Sequence, residues 1–196
     1  MHIRTVGKIV SAVALILALA APAAAQGTPG PGTGLNGGLL GVGVSFLNVN
    51  DTTSAGFTID YRKNFLAETS FDLGAVGDLG WHRDSDEIAG FESSSTLLTL
   101  MGGVRITASQ LDRFAPFGQA LFGMARLSFG GDVCDIDETF CESDTEPALK
   151  FGGGVDVRLS DRINVRGQID FLKVLEDDAD VATRFFIGIS TVLGGR

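Results

Sequence analysis

The sequence predicts an all-β fold, an eight-stranded antiparallel up-and-down transmembrane β-barrel. Three observations support this prediction. Apolar and polar side chains alternate in eight segments, an apolar leader opens the chain, and no second long apolar run follows it. Alternation with a period of two indicates strands, because successive strand side chains point to opposite faces. Segments of roughly ten residues match the length that a tilted strand needs to cross a bilayer.

The first 25 residues are typical of a secretory signal peptide. Arg4 and Lys8 give a basic start, and the apolar run 9–21 follows them. This run is shorter than the roughly 20 residues of a spanning helix. Small residues then precede a predicted cleavage site ahead of Gln26, so we expect an exported protein.

The mature chain is predicted to form one domain. Residues 26–38 are rich in Gly, Pro and Thr and are expected to be a flexible lead-in, and residues 39–196 are expected to form the barrel. The net charge of -9 argues against nucleic acid as a partner. The chain has no nucleotide-binding, zinc-binding or phosphate-cradling motif, so we expect no cofactor.

Residues 149–171 show the alternation most clearly. In 149–159 the odd positions hold only aliphatic, aromatic or glycine residues, and the even positions hold Lys, Asp, Arg and Gly. The polar turn 160–162 follows, and 163–171 repeats the split. The pattern therefore predicts an antiparallel hairpin with one apolar face.

The same reading gives six further strands, at residues 40–46, 57–62, 71–82, 96–106, 117–129 and 183–193. A turn near Lys63 and Asn64 is expected to end the second strand. The fifth strand is the least regular. We expect Leu121, Ala125 and Leu127 outside, with Arg126 on the inner face together with Gly118, Phe122, Met124 and Ser128.

An even number of antiparallel strands can close without leaving an edge, which lipid requires because unpaired backbone groups find no water there. The predicted connections differ between the two ends of the barrel. Those at 48–54, 84–93, 130–147 and 175–181 hold 16 of the 24 acidic residues and no Lys or Arg, whereas the opposite connections are short. Long loops at one end and tight turns at the other are typical of outer-membrane barrels.

With these features the chain resembles the small outer-membrane β-barrel family that includes the OmpA membrane domain and the OmpX/Ail-type barrels. The resemblance covers residues 39–195 and is strongest in 117–129 and 149–193. It implies a bacterial outer-membrane location. Partners would be outer-membrane lipid and lipopolysaccharide, with surface or host ligands at the loops. The family's patterns support a fold better than a function.

Charged side chains on the predicted inner faces form the main candidate site. They are Asp60, Asp72, Asp78, Arg105, Arg126, Lys150, Asp156, Arg158, Arg166, Asp170 and Arg184. Buried charges need partners, so a salt-bridged core is favoured over an ion path or gate, given the small bore of such barrels.

Cys134 and Cys141 are the only cysteines and both fall in the longest acidic connection. In an exported protein this pair predicts a disulfide. The acidic runs 135–138 and 176–180 suit Ca²⁺ or Mg²⁺, but they lack the glycine and spacing of an EF-hand, so a solvated acidic surface is favoured and no metal site is assigned.

The favoured function is a structural or surface-interaction role, adhesion-like and without catalysis, for a monomeric barrel. The alternative is a narrow ion-conducting, porin-like channel. A lipid-modifying enzyme is less favoured, because His82 and Ser85 lie too close along one strand end for a nucleophile pair. A soluble periplasmic barrel with its apolar face inward is a further alternative.

Overall fold

The computed structural model describes residues 38–50, 52–67, 70–88, 91–108, 113–131, 143–176 and 180–193. They form eight strands in one closed barrel, in which each strand pairs antiparallel with its sequence neighbours and the last pairs with the first. The strands are β1 (Gly38–Val49), β2 (Thr52–Ala67), β3 (Phe71–Ile88), β4 (Phe91–Ala108), β5 (Phe114–Gly131), β6 (Ser143–Arg158), β7 (Ile163–Val174) and β8 (Val181–Leu193). The predicted fold class is confirmed.

No helix in the described part of the chain is long and apolar enough to span a membrane. The predicted signal peptide and nearly all of the lead-in fall at residues 1–37, outside the described residues.

The pairing register shows how far the strands are sheared. One row of facing residues runs through Asn164, Ser190, Gly41, Asp60, Asp78, Met101, Gly123, Ala148 and Val174. After one circuit the row returns to β7 ten residues further along the strand, at Val174 instead of Asn164. Such a stagger accompanies strands tilted by about 35–45° from the barrel axis, which leaves a bore that side chains can fill.

The outer face of the barrel is apolar. Side chains that point outward along the strands include Phe57, Leu100, Ile169 and Ile187, and each exposes more than a third of its surface. Phe57 also packs against Trp81, with 5.4 Å between ring centroids. A water-soluble protein rarely exposes so continuous an apolar surface. The outer face is therefore suited to contact with the hydrocarbon of a membrane.

The lumen also contains an apolar cluster. It consists of Leu47, Val76, Met101, Leu121, Ala125, Ala148, Leu172 and Ala182, with Val49, Leu97 and Val174 packed against it. Leu47, Leu172 and Ala182 lie within two residues of strand ends that face the connections β1–β2 and β7–β8. We call this end of the barrel, which also carries β3–β4 and β5–β6, the loop end, and the opposite end the turn end.

Several strands are longer than the sequence pattern indicated. β2 continues to Ala67, so the turn expected near Lys63 and Asn64 is wrong, and Asn64 is buried on the inner face. At the loop end, β3 and β4 stay paired to Ile88 and Phe91, where a connection over 84–93 was expected. Strands of 18 residues exceed the roughly 9–11 that cross a bilayer, so their backbone pairing continues beyond it.

The predicted orientation of β5 is wrong. Leu121 and Ala125 point into the lumen and are almost fully buried, whereas Phe122 and Met124 are exposed on the outer face. Arg126 shares that outer face, where it is exposed and donates a hydrogen bond to the hydroxyl of Ser143. β5 contributes apolar side chains to both faces. The few polar residues near its end therefore do not indicate which face points into the lumen.

Candidate functional site: the charged core of the barrel

Ten of the eleven predicted core residues point into the lumen, and Arg126 is the exception. Eight of the ten are buried: Asp60, Asp78, Arg105, Lys150, Asp156, Arg166, Asp170 and Arg184. The other two, Asp72 and Arg158, are half-buried near the turn end. The alternation of each strand places these groups on one face, and closure of the sheet then brings opposite walls together.

Arg166 on β7 joins two carboxylates. Its Nη1 donates to both oxygens of Asp60, at 2.6 and 2.8 Å, although Asp60 lies on β2. Its Nε and Nη2 donate to the two oxygens of Asp156 on β6, at 2.6 and 3.2 Å. The planar guanidinium therefore makes a two-pronged contact with Asp156 and a cross-lumen contact with Asp60.

Arg184 on β8 forms the second cluster. Its Nη2 donates to Asp170 at 2.5 Å and to Asp78 at 3.1 Å, and its Nε donates to Asp170 at 2.9 Å. Lys150 on β6 makes an ion pair with the other oxygen of Asp78. Thr58 accepts a further hydrogen bond from Arg184 at 3.2 Å. The carboxylate of Asp78 on β3 thus pairs with two cations that reach it from across the lumen.

Neutral amides connect the two clusters. Gln119 accepts two hydrogen bonds from Arg105, at 3.0 and 2.6 Å, and donates to Asp170 at 2.9 Å. Gln168 donates to the same carboxylate of Asp170 at 2.7 Å. Arg105 also lies 3.8 Å from Asp60, so the polar contacts extend from β2 to β8 without a break. Gln168 was predicted on the polar face of its strand and Gln119 on the apolar face of the fifth strand, and neither was included in the predicted charge network.

A glycine makes room for the first cluster. A Cβ built on Gly41 would collide with the carboxylate of Asp60 and lie 3.2 Å from Nη1 of Arg166. Any larger residue at this position would displace one of the two charged groups. The absence of a side chain at Gly41 is therefore part of the cross-lumen contact.

Arg62 was predicted on the polar face of the second strand, next to the expected turn, but it was not included in the predicted charge network. It is 5% exposed on the inner face of β2, and its Nη1 donates to Thr107 at 2.7 Å. The signal that could have identified it is its position, two residues beyond Asp60 on the same face. It lay at the end of the predicted strand, whereas β2 continues five residues further, to Ala67.

His82 lies inside the barrel in a group of hydroxyls. Its Nε2 is 2.8 Å from the hydroxyl of Ser45, which is 3.1 Å from the hydroxyl of Thr58. The imidazole is only 2% exposed. Within the described residues no group of three or more acidic, His or Cys side chains could hold a metal ion. The arrangement is chemically an ion-paired, hydrogen-bonded filling rather than an open cleft.

Two sequence predictions lie outside the described residues. Cys134 and Cys141 fall in the range 132–142, between β5 and β6, so the predicted disulfide stays a prediction. Residues 177–179 of the acidic run 176–180 also fall outside, whereas Glu176 and Asp180 are described. The carboxylate of Asp180 accepts a hydrogen bond of 2.5 Å from Asn50, which joins the β1–β2 turn to the β7–β8 connection.

Comparisons with known proteins agree with this architecture. The family model described as "outer membrane protein beta-barrel domain" matches residues 11–189. A search of curated protein sequences gives no match.

Solved structures with the same fold include Ail, the attachment invasion locus protein of Yersinia pestis. Its TM-score is 0.57 at 14% identity, over 81% of this chain and 99% of Ail. A second Ail structure contains the heparin analogue sucrose octasulfate. Neisserial surface protein A has a TM-score of 0.55 at 12% identity, over 79% of this chain and 95% of its own. At these identities the likeness shows the fold alone.

Proposed function

Since the chain belongs to the outer membrane protein beta-barrel domain family, we propose that it is a membrane-embedded scaffold that acts through its loop end, without catalysis. The filled lumen carries this proposal. The two arginine-centred clusters cross the bore, and Leu47, Leu172 and Ala182 of the apolar cluster fill it toward the loop end. A barrel filled in this way offers binding surfaces at its ends rather than a path through its centre.

The competing function is a narrow ion channel that uses the same charged groups. Conduction would require Arg166 and Arg184 to leave two carboxylates each, and every separated charge would have to be rehydrated inside the bore. Next to the apolar side chains near the loop end, only neutral groups such as Ser45, Thr58 and His82 are placed to replace lost water. A closed scaffold is therefore the better supported function.

Catalysis on lipid is also disfavoured by the position of His82. The imidazole points into the lumen and is almost fully buried against Ser45 and Thr58, whereas a lipid substrate would lie against the outer face. Within the described residues Nδ1 of His82 has no hydrogen-bond partner, so no acidic group orients the imidazole as nucleophile activation requires.

The acidic loop end favours cationic ligands. Asp144, Glu146 and Asp180 are described there, and the sequence places many more carboxylates in the same connections. Ail has been solved with a polyanionic heparin analogue, but a ligand of that charge would be repelled here. Positively charged surfaces, including cationic segments of host or bacterial proteins, fit the charge of this end.

Lipopolysaccharide and outer-membrane lipid are the proposed partners of the outer face. Arg83 and Arg126 are exposed on that face near the loop end, beyond apolar neighbours such as Leu98 and Met124. Guanidinium groups at the edge of an apolar band are suited to phosphate on lipid headgroups. Arg83 and Arg126 therefore support lipopolysaccharide and lipid headgroups as partners of the outer face.

Conductance in planar bilayers tests the closed scaffold. The purified protein is expected to insert without producing a steady unit conductance. Heat-modifiable migration on a gel and Trp81 fluorescence in the same preparation show that it has folded and inserted. A reproducible unit conductance from protein that passes both checks would replace the scaffold with the channel.

Binding to charged surfaces tests the loop-end ligand. Vesicles that carry the protein are expected to bind immobilised polylysine and not heparin. The double variant Asp144→Asn/Glu146→Gln should weaken this binding, and the control Asp161→Asn, at the turn end, should not. Equal binding by both variants would remove these carboxylates from the proposal.

A further inference from the structure

Two buried arginines in the half of the lumen toward the turn end have N–H groups without a hydrogen-bond partner. In the described part of the chain, Arg62 Nε and Arg105 Nη1 are two such atoms. The residues are 5% and 1% exposed. A buried donor on a charged group is costly to leave unpaired, so each atom needs an acceptor.

The fold brings the two guanidinium groups together on the wall formed by β2, β3 and β4. The stem of Arg62 passes over Gly74 of β3, with its Cγ 3.2 Å from the point where a Cβ would stand. Its Nη1 then reaches Thr107 of β4. Arg105 precedes Thr107 by two residues on the same inner face and is the register partner of Gly74. Arg62 therefore ends beside Arg105.

The remaining contacts of Arg105 determine where its unpaired N–H lies. Its guanidinium stacks on Phe117, with Cζ 4.1 Å from the ring centroid. Nε and Nη2 both donate to Gln119, which uses one edge of the plane. Nη1 is left on a different edge, and the stacking fixes the plane in which an acceptor must approach.

Charge counting indicates that the missing acceptor is an anion. Among the described residues, the buried inner-face groups of this half are three cations, Arg62, Arg105 and Arg166, and two carboxylates, Asp60 and Asp156. Arg166 already holds Asp60 and Asp156 through four hydrogen bonds. One positive charge is left over in a region where burial makes unbalanced charge unfavourable.

We propose that a small monovalent inorganic anion, chloride under physiological conditions, binds between Arg62 and Arg105. It accepts from Arg62 Nε and Arg105 Nη1 and balances the extra charge. A compact ion fits this position because Phe117, Gln119 and Thr107 already occupy the surrounding wall. The site is independent of any ligand at the loop end and of whether the lumen conducts.

Bromide tests the site directly, because it replaces chloride and scatters anomalously. Crystals of the full protein grown in sodium bromide are expected to show an anomalous peak within hydrogen-bonding distance of Arg62 Nε and Arg105 Nη1. An ordered water alone at the two nitrogens, or no peak there, would overturn the proposal.

Thermal unfolding in detergent gives a second readout. A higher midpoint is expected in sodium chloride than in sodium gluconate at equal ionic strength, because an anion that binds only the folded state stabilises it. Arg62→Met should abolish this chloride-dependent difference, and Arg126→Met, which removes an exposed arginine of the outer face, should retain it. The comparison is between salts within each variant, so a lower absolute midpoint does not obscure it. A difference that persists in Arg62→Met would contradict the site.

Discussion

Arg166 and Asp60 lie on strands that are not neighbours in the barrel, yet Nη1 of Arg166 donates to both oxygens of Asp60. The contact connects β7 with β2 across the intervening β8 and β1. Backbone pairing already holds neighbouring strands together, whereas this side-chain contact also fixes the separation of more distant walls. The filled lumen can therefore contribute to the stability of the barrel as a whole.

Removing Arg166 should be strongly destabilising. Arg166→Met leaves the carboxylates of Asp60 and Asp156 buried without their main partner, and loss of one member of a buried pair costs about 3–5 kcal/mol. The free energy of unfolding is to be measured in urea with protein folded into lipid vesicles, by Trp81 fluorescence.

The control is the triple variant Arg166→Met/Asp60→Asn/Asp156→Asn. It removes the unpaired charges as well and should recover part of the lost stability. A triple variant that is less stable than Arg166→Met would show that the penalty does not come from unpaired carboxylates.

Substituting two glycines tests whether crowding in the lumen, rather than the loss of a glycine as such, lowers stability. Gly41→Ala introduces a Cβ against the carboxylate of Asp60, and we expect the cost of overpacking, about 1–3 kcal/mol. Gly77→Ala is the control, because a Cβ at Gly77 meets no heavy atom within 4 Å. Unfolding in urea compares the two, and equal effects would show that crowding at Asp60 is not the cause.

The alternation of the sequence was sufficient to predict the closed barrel and most of its inner face. Charged residues in the middle of a strand, such as Asp78 and Lys150, identify the lumen because hydrocarbon excludes an unpaired charge. Arg126 misled the prediction for β5 because it lies near the loop end, where a charge on the outer face reaches headgroups or water. The informative signal in β5 was Gln119, which is buried and hydrogen-bonded in the core.

The side-chain contacts across the lumen could not be predicted from the sequence. Arg184 pairs with Asp170 on the neighbouring strand, but its contact with Asp78 depends on the stagger of all eight strands, to which each connection adds. The contact between Arg62 and Thr107 was likewise hidden, because it reaches from β2 over β3 to β4 and requires Gly74 to leave room for the arginine stem.

The predicted disulfide can be tested in the intact protein. Cys134 and Cys141 should not react with a thiol reagent under non-reducing conditions, and two thiols should appear after reduction, as counted by mass spectrometry. Because both cysteines precede β6 and follow β5, replacing both with Ala should leave unfolding of the barrel nearly unchanged. Labelling before reduction would exclude the bond.

The lipid-facing assignment predicts that the cost of a charge depends on its depth. Ile187 is the central residue of β8 and points outward, with 47% of its surface exposed. Ile187→Arg should reduce stability in lipid vesicles by about 2–4 kcal/mol, because a buried guanidinium loses its water. Val181→Arg on the same face at the loop end should cost about 0–1 kcal/mol, since the side chain reaches the headgroups. Equal costs at the two positions would mean that hydrocarbon does not surround the middle of β8, and the membrane-spanning orientation would then fail.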